Sequence, residues 1–121
     1  VLFELGEPAL KWQIGGVLQP RISTASLEFV QVPVFAASAG APIDPTPFTV
    51  EFAFESGLGA PVSQDWVPGS WDVTQIGGYV AQCKVGAGGA VALTAGSYYT
   101  WVRITAGVET PVHSCGLVTV I

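Results

Sequence analysis

Leu93-Thr94-Ala95-Gly96-Ser97-Tyr98-Tyr99-Thr100-Trp101-Val102-Arg103-Ile104 reads as a turn that feeds a long strand. From Tyr98 onward the residues alternate in a period of two, with Tyr98, Thr100, Val102 and Ile104 on one side and Tyr99, Trp101, Arg103 and Thr105 on the other. The first set makes a core face. The second carries two large aromatics and a cation, an unusual choice for a surface that meets only water. A strand of this kind needs a sheet around it.

Strand signals recur at short intervals after residue 26. Residues 27–36 are extended and apolar, with Val30, Val32 and Val34 sharing a face, and Pro33 removes a ladder donor in a way that predicts an edge strand or a bulge. Residues 42–47 are dense in proline and predict a polyproline II passage across one end of the domain. In residues 48–54, Phe48, Val50, Phe52 and Phe54 face inward while Thr49, Glu51 and Ala53 face out. Pro68-Gly69 predicts a turn between Trp66 and Trp71, with a short strand on each side. Residues 79–85 put Tyr79, Ala81, Cys83 and Val85 on one face, residues 90–93 make a brief strand, and residues 112–121 a last one. Six or seven strands without a credible long helix predict an all-β, two-layer antiparallel sandwich.

Residues 1–26 have a different texture. Pro8 predicts a short helix over residues 9–14 that Gly15-Gly16 ends, so residues 1–26 are expected to form an N-terminal arm and residues 27–121 the sandwich. The arm holds Phe3, Leu10, Trp12 and Ile14, too many apolar side chains for a solvated tail. It is expected to pack on its own domain or on a neighbouring subunit, and nothing in the spacing separates the two.

Composition narrows the function. Half of the 121 residues are hydrophobic and 11% are charged, so some apolar surface is expected to be covered by another chain, as in a symmetric assembly. The net charge is −5 with 4 cations, too few to neutralise a run of phosphates, so nucleic acid is not an expected partner. No apolar run approaches the ~20 residues that span a bilayer, and the first residues lack a signal peptide's basic start, so neither membrane nor export is expected. Cys83 and Cys115 fall in two candidate strands and are expected either to pair or, more in keeping with the burial of free thiols, to stay reduced in the core.

Leu93-x-x-Gly96-x-Tyr98 resembles the entry to strand F of an immunoglobulin-like domain, with Tyr98 as the corner tyrosine whose hydroxyl bonds back to the chain before it. Threonine at position 100, where antibody domains carry the second bridge cysteine, excludes the antibody disulfide. Ile43-Asp44-Pro45-Thr46 leading into Thr49-Val50-Glu51-Phe52, followed by Gly96-Ser97-Tyr98-Tyr99-Thr100-Trp101-Val102-Arg103-Ile104, resembles small immunoglobulin-like virion proteins of tailed bacteriophages, particularly of actinobacterial hosts. The resemblance covers residues 27–121. It implies an immunoglobulin-like β-sandwich made in the host cytoplasm, located in the virion, and serving as a capsid decoration, minor capsid or tail component bound to the major capsid protein or other virion proteins. Phe3, Leu10, Trp12 and Ile14 of the arm, with Tyr99, Trp101 and Arg103 of the strand face, are the expected partner-binding residues, because Tyr, Trp and Arg dominate binding hot spots.

No catalytic constellation is legible, so no enzyme activity is expected. His113 and Cys115 share a strand face, but no acid lies near in sequence to orient the imidazole. One histidine and two cysteines fall short of a four-ligand zinc site, and Gly86-x-Gly88-Gly89 lacks the lysine of a phosphate loop, so neither metal nor cofactor is expected. The rival expectation is a carbohydrate-binding module. There Trp66 and Trp71, with Tyr79 nearby, would offer platforms to sugar faces, and Asp65 and Asp72 would take hydroxyls.

Overall fold

Alternating burial sets the strands. In a computed structural model that describes residues 10–72, 78–107 and 109–121, ten strands are present: β1 (Leu10–Ile14), β2 (Arg21–Ile22), β3 (Glu28–Ser38), β4 (Ala41–Pro42), β5 (Thr49–Glu55), β6 (Val67–Pro68), β7 (Ser70–Asp72), β8 (Tyr79–Val85), β9 (Gly96–Thr105) and β10 (Val112–Val120). They form two sheets. One runs β1-β3-β8-β7 with β4 also on β3, and the other runs β2-β10-β9-β5-β6. All pairings are antiparallel except that of β2 with β10. The all-β sandwich expected from the sequence is the observed fold.

The sheets meet through the side chains that alternation predicts. Val30, Val32 and Val34 of β3 and Ala81, Cys83 and Val85 of β8 come from one side; Val50 and Phe52 of β5, Val102 and Ile104 of β9, and Val118 and Val120 of β10 come from the other. Midway along β10 the ladder slips between Ser114 and Leu117, where Gly116 has φ +100°. That bulge absorbs one extra residue, so Cys115 and Val118 both point inward while Ser114 and Leu117 both point out. At the start of β9 the Tyr98 hydroxyl donates to the Thr94 carbonyl oxygen at 2.8 Å, the bond expected of it.

The structure departs from several local expectations. Residues 10–14 are a strand, not a helix. Leu10, Trp12 and Ile14 alternate with exposed Lys11 and Gln13, and placing all three against the core while laddering β1 onto β3 outweighs the local signals of Pro8 and Gly15-Gly16. The chain then crosses between the sheets, with the Val17 N–H on the Cys115 carbonyl (3.0 Å) and the Leu18 N–H on the Gln31 carbonyl (2.9 Å), before β2 joins β10. Residues 10–26 thus supply an edge strand to each sheet.

β3 is an interior strand despite Pro33. The Pro33 carbonyl faces Gly15 (N–H to O, 2.9 Å), just past the end of β1, so the missing donor falls where the ladder stops. Residues 42–47 do not continue as polyproline II. Ala41–Pro42 pairs with β3, the Asp44 carboxylate accepts the Thr46 N–H at 2.9 Å, and the Phe48 N–H closes a turn on the Pro45 carbonyl. Pro68-Gly69 is no turn either: β6 lies on β5 and β7 on β8, so the chain changes sheets at Gly69. A Cβ at Gly69 would stand 2.8 Å from the Phe52 ring, so only glycine passes there without displacing it. Residues 90–93 make only an isolated bridge, Val85 to Val91.

Candidate functional site

The outward face of β5, β9 and β10 gathers the strand-face residues expected from the sequence. Register fixes three rows across it: Glu51, Arg103 and Val112; Ala53, Trp101 and Ser114; Glu55, Tyr99 and Leu117. Arg103 sends Nε (2.9 Å) and Nη2 (2.7 Å) to Oε1 of Glu51, and its guanidinium lies 4.5 Å from the centre of the Trp66 ring. Arg103 is therefore held between a carboxylate and an indole. Trp101 and Tyr99 are half-buried, and Ala53, outward-facing beside Trp101, is fully buried beneath its neighbours. Leu117 and Val112 stand out at 47% and 42% exposure. The face is a largely apolar strip that carries, among the described residues, one internally neutralised ion pair. Glu51 is not among the site residues the sequence suggests, and Trp66 is suggested only as a sugar platform. The outward position of Glu51 on β5 is the one signal for it, and nothing local announces that Trp66 reaches Arg103.

At one end of the strip Glu55, itself in the last of these rows, lies next to Asp65. Partial burial, then hydrogen bonding to Asp65 and repulsion from its charge, raise the Glu55 carboxyl above its ordinary value. Asp65 also takes the Val62 N–H at 3.1 Å and so closes the 3-10 turn Ser63–Asp65.

The arm residues are placed differently. Leu10, Trp12 and Ile14 pack on their own core, and the Trp12 ring meets Phe48 at 6.2 Å between centroids. Side chains expected to anchor another subunit are instead occupied within their own sandwich. Phe3 lies outside the described residues.

The tryptophan loop does not form a platform. Trp71 points into the core from β7 and donates its indole N–H to the Phe48 carbonyl at 2.9 Å, whereas Trp66 lies on the outer face of the other sheet. Asp65 and Asp72 are parted in the same way; Asp72 accepts from Gln31 at 3.0 Å on the outer face of the first sheet. Tyr79 begins β8.

Cys83 and Cys115 are free and buried, one in each sheet, and burial pushes both thiols up to about 12, so they are held as inert thiols. His113 precedes Cys115 on the inner face, and its carbonyl takes the Cys115 thiol at 3.5 Å. Among the described residues no three His, Cys, Asp or Glu side chains converge to hold a metal ion, and no helix is long and apolar enough to cross a membrane. The chain matches no family model, no curated protein and no solved structure.

Proposed function

We propose that this chain is a non-enzymatic, immunoglobulin-like structural domain of a tailed-phage virion, which decorates or cements the capsid by docking on neighbouring virion proteins. The observation that carries this reading is the outward strip of Tyr99, Trp101, Leu117 and Val112, with Arg103 locked by Glu51 and Trp66. Such a surface gains by being covered, and its one charge pair already travels neutralised, which lowers the cost of taking it out of water.

The immunoglobulin-like part of the reading has its own support. The strand orders β1-β3-β8-β7 and β2-β10-β9-β5-β6 correspond to A-B-E-D in one sheet and to G-F-C, flanked by short edge strands, in the other. The Tyr98 to Thr94 bond has the geometry of a tyrosine corner at the start of strand F. Leu10, Trp12 and Ile14 serve the chain's own core, which leaves partner binding to the strand face. The carbohydrate reading loses its platform with the separation of Trp66 from Trp71.

Purified particles of a phage that encodes this chain test the proposal. The chain is expected in the particles at a copy number set by capsid symmetry, and Tyr99→Ser with Leu117→Ser is expected to empty those positions while the free domain stays folded. Particles that lack the chain, or that keep full occupancy with both substitutions, overturn it. Occupancy at the tail alone replaces decoration with a tail role.

A further inference from the structure

The chain is anchored in different ways on the two sides of Gly16. From Val17 onward it is bonded to both sheets: Val17 to Cys115, Leu18 to Gln31, the Gln19 side chain to the Gln31 N–H at 2.7 Å, and the Thr119 N–H to the Pro20 carbonyl at 2.8 Å. Before it, β1 is an edge strand laddered to β3 alone, with the Leu10 N–H also donating to a Glu109 carboxylate oxygen at 3.1 Å. Gly15 belongs to the packed side, since a Cβ there would stand 3.0 Å from the Pro33 ring. Gly16 makes no hydrogen bond among the described residues, and the nearest atom to its virtual Cβ is the Cys115 carbonyl at 3.7 Å. One unanchored residue therefore joins a separately held strand to a fixed frame.

We propose that β1 is an exchangeable strand, which pivots at Gly16 off its own β3 and is replaced there by β1 of a second copy, so that two copies clasp each other reciprocally. The occupant is specified by the groove itself. Leu10, Trp12 and Ile14 at alternate positions fill it, and a second copy brings the same three side chains in the same register. The strand leaves one groove and enters another with the same lining, so protein concentration and the length of the pivot set the balance. A strand of five residues spans roughly 17 Å, so the two frames lie side by side at this edge. That exchange cements a particle rests on the virion reading above; the exchange itself belongs to the purified chain.

The test uses the full chain carrying Gln13→Cys and Phe35→Cys. These residues are register partners, both exposed, on the outer face of the sheet. Folded first and then oxidised with diamide, a closed monomer bridges within one chain and an exchanged pair bridges between two. Covalent dimer on a non-reducing gel is expected to rise with the protein concentration at folding and to exceed the collisional background of Phe35→Cys alone. Deleting Gly16 is expected to raise it several-fold, and inserting two glycines after Gly16 to lower it. A dimer fraction at background across the concentration series overturns the proposal, and that series decides even where the deletion variant does not fold. A chain present in particles that never exchanges overturns exchange alone; an exchanging chain absent from particles overturns the virion reading alone.

Discussion

Thr100→Val is expected to stabilise the domain. Thr100 is fully buried on the inner face of β9, between Tyr98 and Val102, and its hydroxyl has no hydrogen-bond partner among the described residues. A buried hydroxyl without a partner costs about 1–3 kcal/mol, and valine has the same shape and the same preference for strands. Taking the lower half of that range, the gain is about 1–2 kcal/mol. With an unfolding entropy of about 2.1 cal/mol/K per residue over 121 residues, 1 kcal/mol moves Tm by about 4 °C, so a rise of about 4–8 °C is expected. Urea denaturation followed by tryptophan fluorescence provides the check, with the midpoint shifted upward at an unchanged slope. Thr100→Ser separates the two groups on the side chain: it keeps the hydroxyl and loses the methyl, so it is expected to destabilise. A valine variant no more stable than the parent would defeat the expectation, because the hydroxyl would then have a partner in the core.

Phe52→Ala removes a fully buried ring at the centre of the sandwich and is expected to cost about 3–5 kcal/mol in urea unfolding. Tyr98→Phe deletes the bond to Thr94 and is expected to cost about 0.5–1.5 kcal/mol, with faster amide exchange confined to the turn before β9. The raised Glu55 carboxyl binds its proton more tightly in the folded chain than in the unfolded one. Its contribution is therefore present in acid and is lost as pH rises from the ordinary 4.5 through the folded value. Glu55→Gln is accordingly expected to raise Tm at neutral pH, with the advantage closing below that window; an advantage that persists in acid would contradict this cause.

Wherever one face of a strand is buried and the other wet, the sandwich is legible in the sequence. Phe48, Val50, Phe52 and Phe54 announce β5 by alternation alone, and Tyr98 to Ile104 do the same for β9, because burial imposes the period of two directly on residue choice. β1 is not legible in this way, because five residues with Pro8 before them and two glycines after satisfy a helix template as well as a strand. Only the uncovered edge of β3, a feature 20 to 28 residues away, decides between them. Gly69 misleads for a related reason. Pro-Gly is a turn signal in any local window, and the Phe52 ring that makes glycine necessary there comes from another strand. The candidate docking face is half legible: Tyr99, Trp101 and Arg103 stand out within one strand, whereas Leu117 joins them only through the bulge at Gly116, and Trp66 only through the fold.

The parallel pairing of β2 with β10 gives the domain a direction in which it resists force. Tension applied to the chain before β2 and after β10 pulls these neighbours past each other along their common axis. The bonds from Thr119 to Pro20, Ile121 to Ile22 and Thr24 to Ile121 then bear the load together, in shear. β1, just ahead of β2 in the chain, lies outside this pair and is held by its antiparallel ladder to β3. Stretching along this direction therefore loads one edge of the second sheet as a single clamp, whose bonds share the force instead of meeting it in turn.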